Sequence, residues 1–101
     1  MLRHVVMWRL AATDPAVRAA QAREIADRLT ALVGVVPAIA ALSAGPNTGS
    51  NEVDGNWDAA LVVDVADRDA LAAYANHPAH QDVVAYVRGV AADRVAVDFE
   101  V

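Results

Sequence analysis

"LRHVVMWRL", residues 2–10, alternates along its whole length. Leu2, His4, Val6, Trp8 and Leu10 fall on one side of an extended chain, and Arg3, Val5, Met7 and Arg9 on the other. A period of two is the mark of a β-strand. Apolar groups occupy both sides, so both faces of the sheet that holds this strand need cover. That requirement decides the fold, because packed helices can supply only one of the two covers.

The rest of the chain supplies the partners. Residues 13–34, "TDPAVRAAQAREIADRLTALVG", carry helical spacing. Thr13 or Asp14 can cap this helix and Pro15 suits its first turn. Ala22, Ile25, Ala26, Leu29, Leu32 and Val33 form an apolar stripe, opposite Arg18, Gln21, Glu24, Asp27 and Arg28. Gly34 is a natural helix end. Residues 39–44 read as a short strand. Residues 45–56, "GPNTGSNEVDGN", read as a mobile loop, plain or acting as a lid. Residues 57–65, "WDAALVVDV", give another strand. Asp67 can cap a helix through "RDALAAYA", which Pro78 interrupts before "PAHQDVVAYVRGV" resumes it. Residues 94–101 alternate again. Val95, Val97, Phe99 and Val101 share one side, and Ala96, Asp98 and Glu100 share the other.

The order strand, helix, strand, strand, broken helix, strand is a ferredoxin-like βαββαβ arrangement. It predicts an α+β fold with a four-stranded antiparallel sheet and helices on one face. With 101 residues and no internal repeat, the chain reads as one domain over 1–101. A second copy packed sheet to sheet is the economical cover for the open face, so a homodimer is expected.

Composition excludes several classes. The net charge is -5 and no basic patch is visible, which argues against a nucleic-acid partner. No run approaches the length of a membrane span, and the N-terminus lacks a signal-peptide pattern, so no membrane is expected. There is no Lys for Schiff-base chemistry and no Cys for thiolate chemistry or disulfides. The last point fits a cytoplasmic location.

Two of the three histidines lie in "HPAHQ", residues 77–81. Pro78 forces His77 out of helical geometry, so His77 reads as helix architecture near an N-cap. His80 falls in the first turn of the resumed helix. The positive helix start disfavours an imidazolium there and suits a neutral general base. Tyr74, six residues earlier, can share a ligand oxygen with it. His4 lies with Val6 and Trp8, either approaching His80 in an apolar pocket or sitting in the core bonded to backbone or to Asp98. Asp98 can orient a histidine. Trp8 and Trp57 can wall a pocket for a flat ligand. Arg9 and Arg94 are either carboxylate binders or solvated edge charges. His4, His77 and His80 would make three imidazoles for a metal. However, His77 points away from His80 and no acid completes a familiar spacing, so no metal is expected.

"LRHVVMWRL", "VVPAIAALSAG", "YANHPAHQDVV" and "VAVDFE", taken in order, resemble the stress-responsive A/B-barrel family, known as the Dabb domain. The resemblance runs from about residue 2 to residue 100 and implies a dimeric α+β barrel. One branch of the family, that of olivetolic acid cyclase, folds a linear polyketide by intramolecular aldol condensation. Its catalytic His and Tyr correspond to His80 and Tyr74, and its first-strand pocket His to His4. A further pocket His of that branch is replaced here by Ala59, which departs from the same substrate. The resemblance thus implies cofactor-free acid–base chemistry on a small hydrophobic, aromatic or carbonyl-bearing ligand. The competing expectation is a non-catalytic dimeric stress-response protein with a filled core.

Overall fold

β1 (Leu2–Leu10) runs through the interior of a four-stranded antiparallel sheet ordered β2-β3-β1-β4. The computed structural model describes residues 1–49 and 56–101. The remaining elements are α1 (Pro15–Thr30), β2 (Ala41–Pro46), β3 (Ala59–Val65), α2 (Arg68–Asn76), α3 (Pro78–Val90) and β4 (Ala91–Glu100). This is the ferredoxin-like α+β topology that the element order predicts.

Register fixes what each face carries. His4 stands opposite Val63 of β3 and Asp98 of β4, and Trp8 stands opposite Ala59 and Arg94. Residues directly opposite in antiparallel strands share a face. The helix-covered face therefore holds Leu2, Val6, Trp8, Leu10, Leu61, Val63 and Val65, all buried. α1 closes it with Ala22, Ile25, Ala26 and Leu29, the stripe expected from spacing.

The sequence reading of α1 is corrected at its end. The helix stops at Thr30, and tighter bonds follow, from Leu32 N to Leu29 O and from Val33 N to Thr30 O. Gly34, at φ 84°, sits inside this turn rather than at the helix terminus. The turn keeps Leu32 and Val36 buried and throws Val33 outward, at 53% exposure. β2 begins two residues later than expected, because its register runs from Ala41 opposite Asp64 to Pro46 opposite Ala59. β4 begins earlier, at Ala91, where a register shift between Arg9 and Leu10 admits it straight after α3. Gly45 and Pro46 belong to β2, and the mobile-loop and lid readings of the segment beyond fall largely outside the described residues.

Arg18 was placed on the solvent side by helical spacing, but it reaches across to Asp58. The Asp58 carboxylate accepts from Arg18 Nη2 at 2.9 and 3.0 Å and from the Leu10 backbone N–H at 2.7 Å. One side chain thus ties the end of β1, the start of β3 and the first turn of α1.

The second face of the sheet has no helix on it. Val97 and Phe99 of β4 are 63% and 45% exposed there, beside Met7 and Val95. Arg3 pairs with Asp64 at 2.8 Å and Arg9 with Asp93 at 3.2 Å on this same side. The Arg3 guanidinium holds the Asp64 carboxyl below the usual carboxylate range, mainly through their hydrogen bond. Among the described residues no helix is long and apolar enough to cross a membrane.

Ile25 is fully buried, at 0% exposure. Ile25→Ala is expected to lower stability by about 2–5 kcal/mol in a urea titration. Asp58→Ala strands the Leu10 N–H and the Arg18 guanidinium and is expected to cost about 1–3 kcal/mol by the same measurement. An unchanged midpoint for Asp58→Ala would refute the tying role.

Candidate functional site

α2 and α3 are one helix with a break built into it. Asp67 caps α2 by accepting from Ala70 N at 2.8 Å. His77 then adopts extended geometry, φ -65° and ψ 135°, and serves as C-cap of α2 and N-cap of α3 together. Its Nδ1 accepts from Ala79 N at 3.1 Å, while Pro78 has no N–H to satisfy. This is the architectural role expected of His77.

The break leaves the Ala75 carbonyl without its helical donor, since Ala79 N is taken by His77. Two side chains supply donors instead. His80 Nδ1–H donates to Ala75 O at 3.0 Å, and Gln81 Nε2–H donates to the same oxygen at 2.7 Å. A carbonyl only accepts, so the neutral His80 ring carries its proton on Nδ1 and its lone pair on Nε2. Burial lowers the His80 pKa from 6.5, with the Ala75 bond opposing and His4, Arg94 and His77 adding to the fall. The neutral state expected from the helix start is therefore reached chiefly through loss of water.

Tyr74 is 1% exposed, and its ring centroid lies 4.3 Å from that of His80 and 6.5 Å from that of His4. Its hydroxyl is buried and has no hydrogen-bond partner among the described residues. Burial pushes the phenol up to about 12, so it remains a donor across the physiological range. His4 Nδ1 meets Asp98 Oδ1 at 2.5 Å, and Asp98 Oδ2 lies 3.6 Å from Arg68 Nη1. Of the alternatives for His4, the carboxylate partner is the one observed, and the ring also faces the cavity.

That cavity, about 490 Å³, lies between the helices and the sheet. His4, Trp8, Tyr74 and His80 share its wall with apolar residues of α1, β3 and α3, and Arg88 and Arg94 line it as well. Trp57 does not join them. Its ring lies under the Arg9 guanidinium carbon at 4.4 Å, and Arg9 is on the face of β1 opposite Trp8. Trp57 precedes the first paired residue of β3, Ala59, so strand alternation did not place it. Arg88 was missed by the sequence reading. Its signal was positional, eight residues after His80 and four after Val84 on one side of α3. Among the described residues no three His, Cys, Asp or Glu side chains group to hold a metal ion.

Comparison with known proteins gives the fold a wide kinship. A dimeric ferredoxin-like protein of unknown function from Bacteroides fragilis matches with TM-score 0.86 and 23% identity, over 99% of this chain and 95% of that one. A dimeric ferredoxin-like protein of unknown function from Thermobifida fusca matches with TM-score 0.80 and 29% identity, over 99% and 90%. Hydroxynitrile lyase from Passiflora edulis matches with TM-score 0.76 and 14% identity, over 99% and 92%, a likeness of fold alone. No curated protein sequence matches the chain. The model of the stress responsive A/B barrel domain matches residues 2–101, and the chain belongs to that family.

Proposed function

We propose that the chain binds a small hydrophobic, carbonyl-bearing ligand in the cavity beside His80 and performs cofactor-independent acid–base chemistry on it, of the polyketide-cyclase kind. One observation carries this reading: a buried Tyr74 hydroxyl with no protein partner sits against His80, whose Nε2 lone pair is left available. A buried hydroxyl without a partner costs about 1–3 kcal/mol. A ligand oxygen that accepts from it recovers that cost, and the fold keeps the donor in place for it.

The chemistry follows from the groups. His80 Nε2 takes a proton from a carbon next to a carbonyl, leaving an enolate. The enolate carbon forms a carbon–carbon bond to a second carbonyl of the same ligand. The π-bond of that carbonyl breaks and its electron pair moves to oxygen, which Tyr74 O–H stabilises. The proton on His80 passes to this alkoxide, and water can leave afterwards. His4, its ring fixed by Asp98, orients the ligand, and Trp8 supplies an apolar wall. Every step is a proton transfer, an addition or an elimination of water, so no redox partner enters. The Passiflora edulis lyase indicates that this fold can serve an enzyme. A second copy of the chain covers the open sheet face, a reading supported by two similar structures being those of dimeric proteins.

His80→Ala and Tyr74→Phe are each expected to slow cyclisation of a linear poly-β-keto thioester by about 100-fold or more, with the fold intact by circular dichroism. If both variants turn over like the parent, or the parent fails to turn over or bind at all, the non-catalytic stress-response reading replaces this one. The rate is expected to fall as pH drops below 6.5 through the lowered His80 pKa, and Tyr74 adds no alkaline limb below about 12. Stability follows the same sign. A histidine whose folded pKa is depressed contributes fully above 6.5 and loses stability as pH falls from there towards the folded value. His80→Gln should flatten that part of the stability profile.

Sedimentation at micromolar concentration is expected to give a dimer. Val97→Asp, which puts a charge in the open apolar face, is expected to give a folded monomer. A monomeric parent would remove the second copy from the proposal.

A further inference from the structure

We propose that the cavity's ligand is an acid, an amphipathic organic carboxylate whose charged end is held by Arg88 and Arg94 while its carbonyl or hydroxyl end meets Tyr74 and His80. The proposal rests on the reading that the cavity is a binding site and adds the chemical class of its occupant.

The first argument is the disposition of arginines. The chain has 8 Lys plus Arg, all of them Arg, against 13 Asp plus Glu. Arg3, Arg9, Arg18, Arg28 and Arg68 each have a carboxylate within ion-pair distance. In a chain so rich in acids, pairing is the ordinary fate of an arginine. Arg23, Arg88 and Arg94 have no such partner among the described residues; Arg23 is exposed on α1, whereas Arg88 and Arg94 line the same cavity. No Asp or Glu lines that cavity with them. A net negative protein therefore keeps one apolar hollow with cations and without competing anions. A guanidinium binds a carboxylate through paired N–H donors, which matches this set.

The second argument is length, and two independent rulers give it. Along α3, His80 and Arg88 are eight residues apart, about 12 Å at 1.5 Å per residue. Along β4, Asp98, which bonds His4, and Arg94 are four residues apart, about 14 Å at 3.4 Å per residue. α3 ends at Val90 and β4 starts at Ala91, so both arginines lie at the same end, next to that junction. Both histidines lie at the other end. By backbone position the cavity thus runs from acid–base groups at one end to arginines at the other with apolar walls between, and the Arg94 side chain reaches back far enough for its charge to act on His80 and Tyr74. Arginine side chains reach back along it, so the fitting ligand spans somewhat less than the Cα separation. A single ring with a short carboxylated chain, or a medium-length oxo acid, has this form.

The test uses 4-(4-hydroxyphenyl)butanoate and its neutral carboxamide, titrated against the full chain by calorimetry, with amide NMR shifts to locate the contacts. The carboxylate is expected to bind about tenfold or more tightly than the carboxamide, with shifts at cavity residues and with affinity falling as salt rises. Arg88→Gln and Arg94→Gln, both exposed and expected to fold, should bring the carboxylate's affinity down towards that of the carboxamide while leaving the carboxamide unchanged. Arg23→Gln on α1, away from the cavity wall, should change neither. Equal binding of the two probes, or equal weakening of both by the arginine variants, overturns the carboxylate assignment and leaves the cavity as a binding site. Binding of neither probe to the parent overturns the assignment and the cavity reading together.

Discussion

The site depends on one interruption, the missing N–H of Pro78 and the extended backbone it forces on His77. In an unbroken helix Tyr74 and His80, six residues apart, would be about 9 Å apart along the axis and about 120° apart around it. They would face different neighbours. The break reorients α3 against α2 and brings the two rings to 4.3 Å. It also releases the Ala75 carbonyl, and that oxygen then sets the tautomer of His80. Position and protonation state thus come from one local event. A residue without an N–H is what makes the event inexpensive, since Pro78 leaves no unsatisfied donor at the new helix start.

The two cavity histidines are held by the same atom and different partners. His80 gives its Nδ1–H to a neutral carbonyl, and His4 meets a carboxylate through Nδ1. Both arrangements leave Nε2 for the cavity. The pair is thereby differentiated by its outer partners, and burial keeps the His80 ring in the neutral form whose Nε2 can accept a proton. Tyr74 between them stays protonated for the same reason, because burial disfavours its anion.

What the sequence disclosed and what it hid divide along a physical line. Asp14, Asp67 and His77 were legible as caps because a cap is a contract between residues two or three apart. The faces of β1 and β4 were legible because alternation is local. The end of α1 was not, since the apolar spacing continues through Leu32 and Val36 while the backbone has already tightened into turns. Arg18 with Asp58, Trp57 under Arg9 and the Ala75 carbonyl under His80 and Gln81 all depend on segments that register or chain reversal brings together. His4, Tyr74 and His80 were named from a family motif and from spacing, and the fold does bring their rings to one cavity. Arg88 needed the same α3 stripe to be followed one turn further than the motif extends.

β1 then explains why the two sides of the sheet differ in kind. Its even residues meet α1 and α3 and build a cavity with His4 and Trp8 in the wall. Its odd residues meet no helix and lie beside exposed Val95, Val97 and Phe99. The charges sort accordingly. On the open side Arg3 and Arg9 are balanced by Asp64 and Asp93, so an apolar strip is bordered by paired charges, which another protein surface can bury at less cost than lone ones. On the cavity side Arg88 and Arg94 keep their charge. Neutral borders suit a permanent contact between chains, and unneutralised cations suit an exchangeable small anion. A one-residue slip of β1 would exchange the two sets and destroy both. The buried Leu2, Val6 and Leu10 oppose that slip, so the hydrophobic core that specifies the fold also keeps the open apolar face and the cavity face apart.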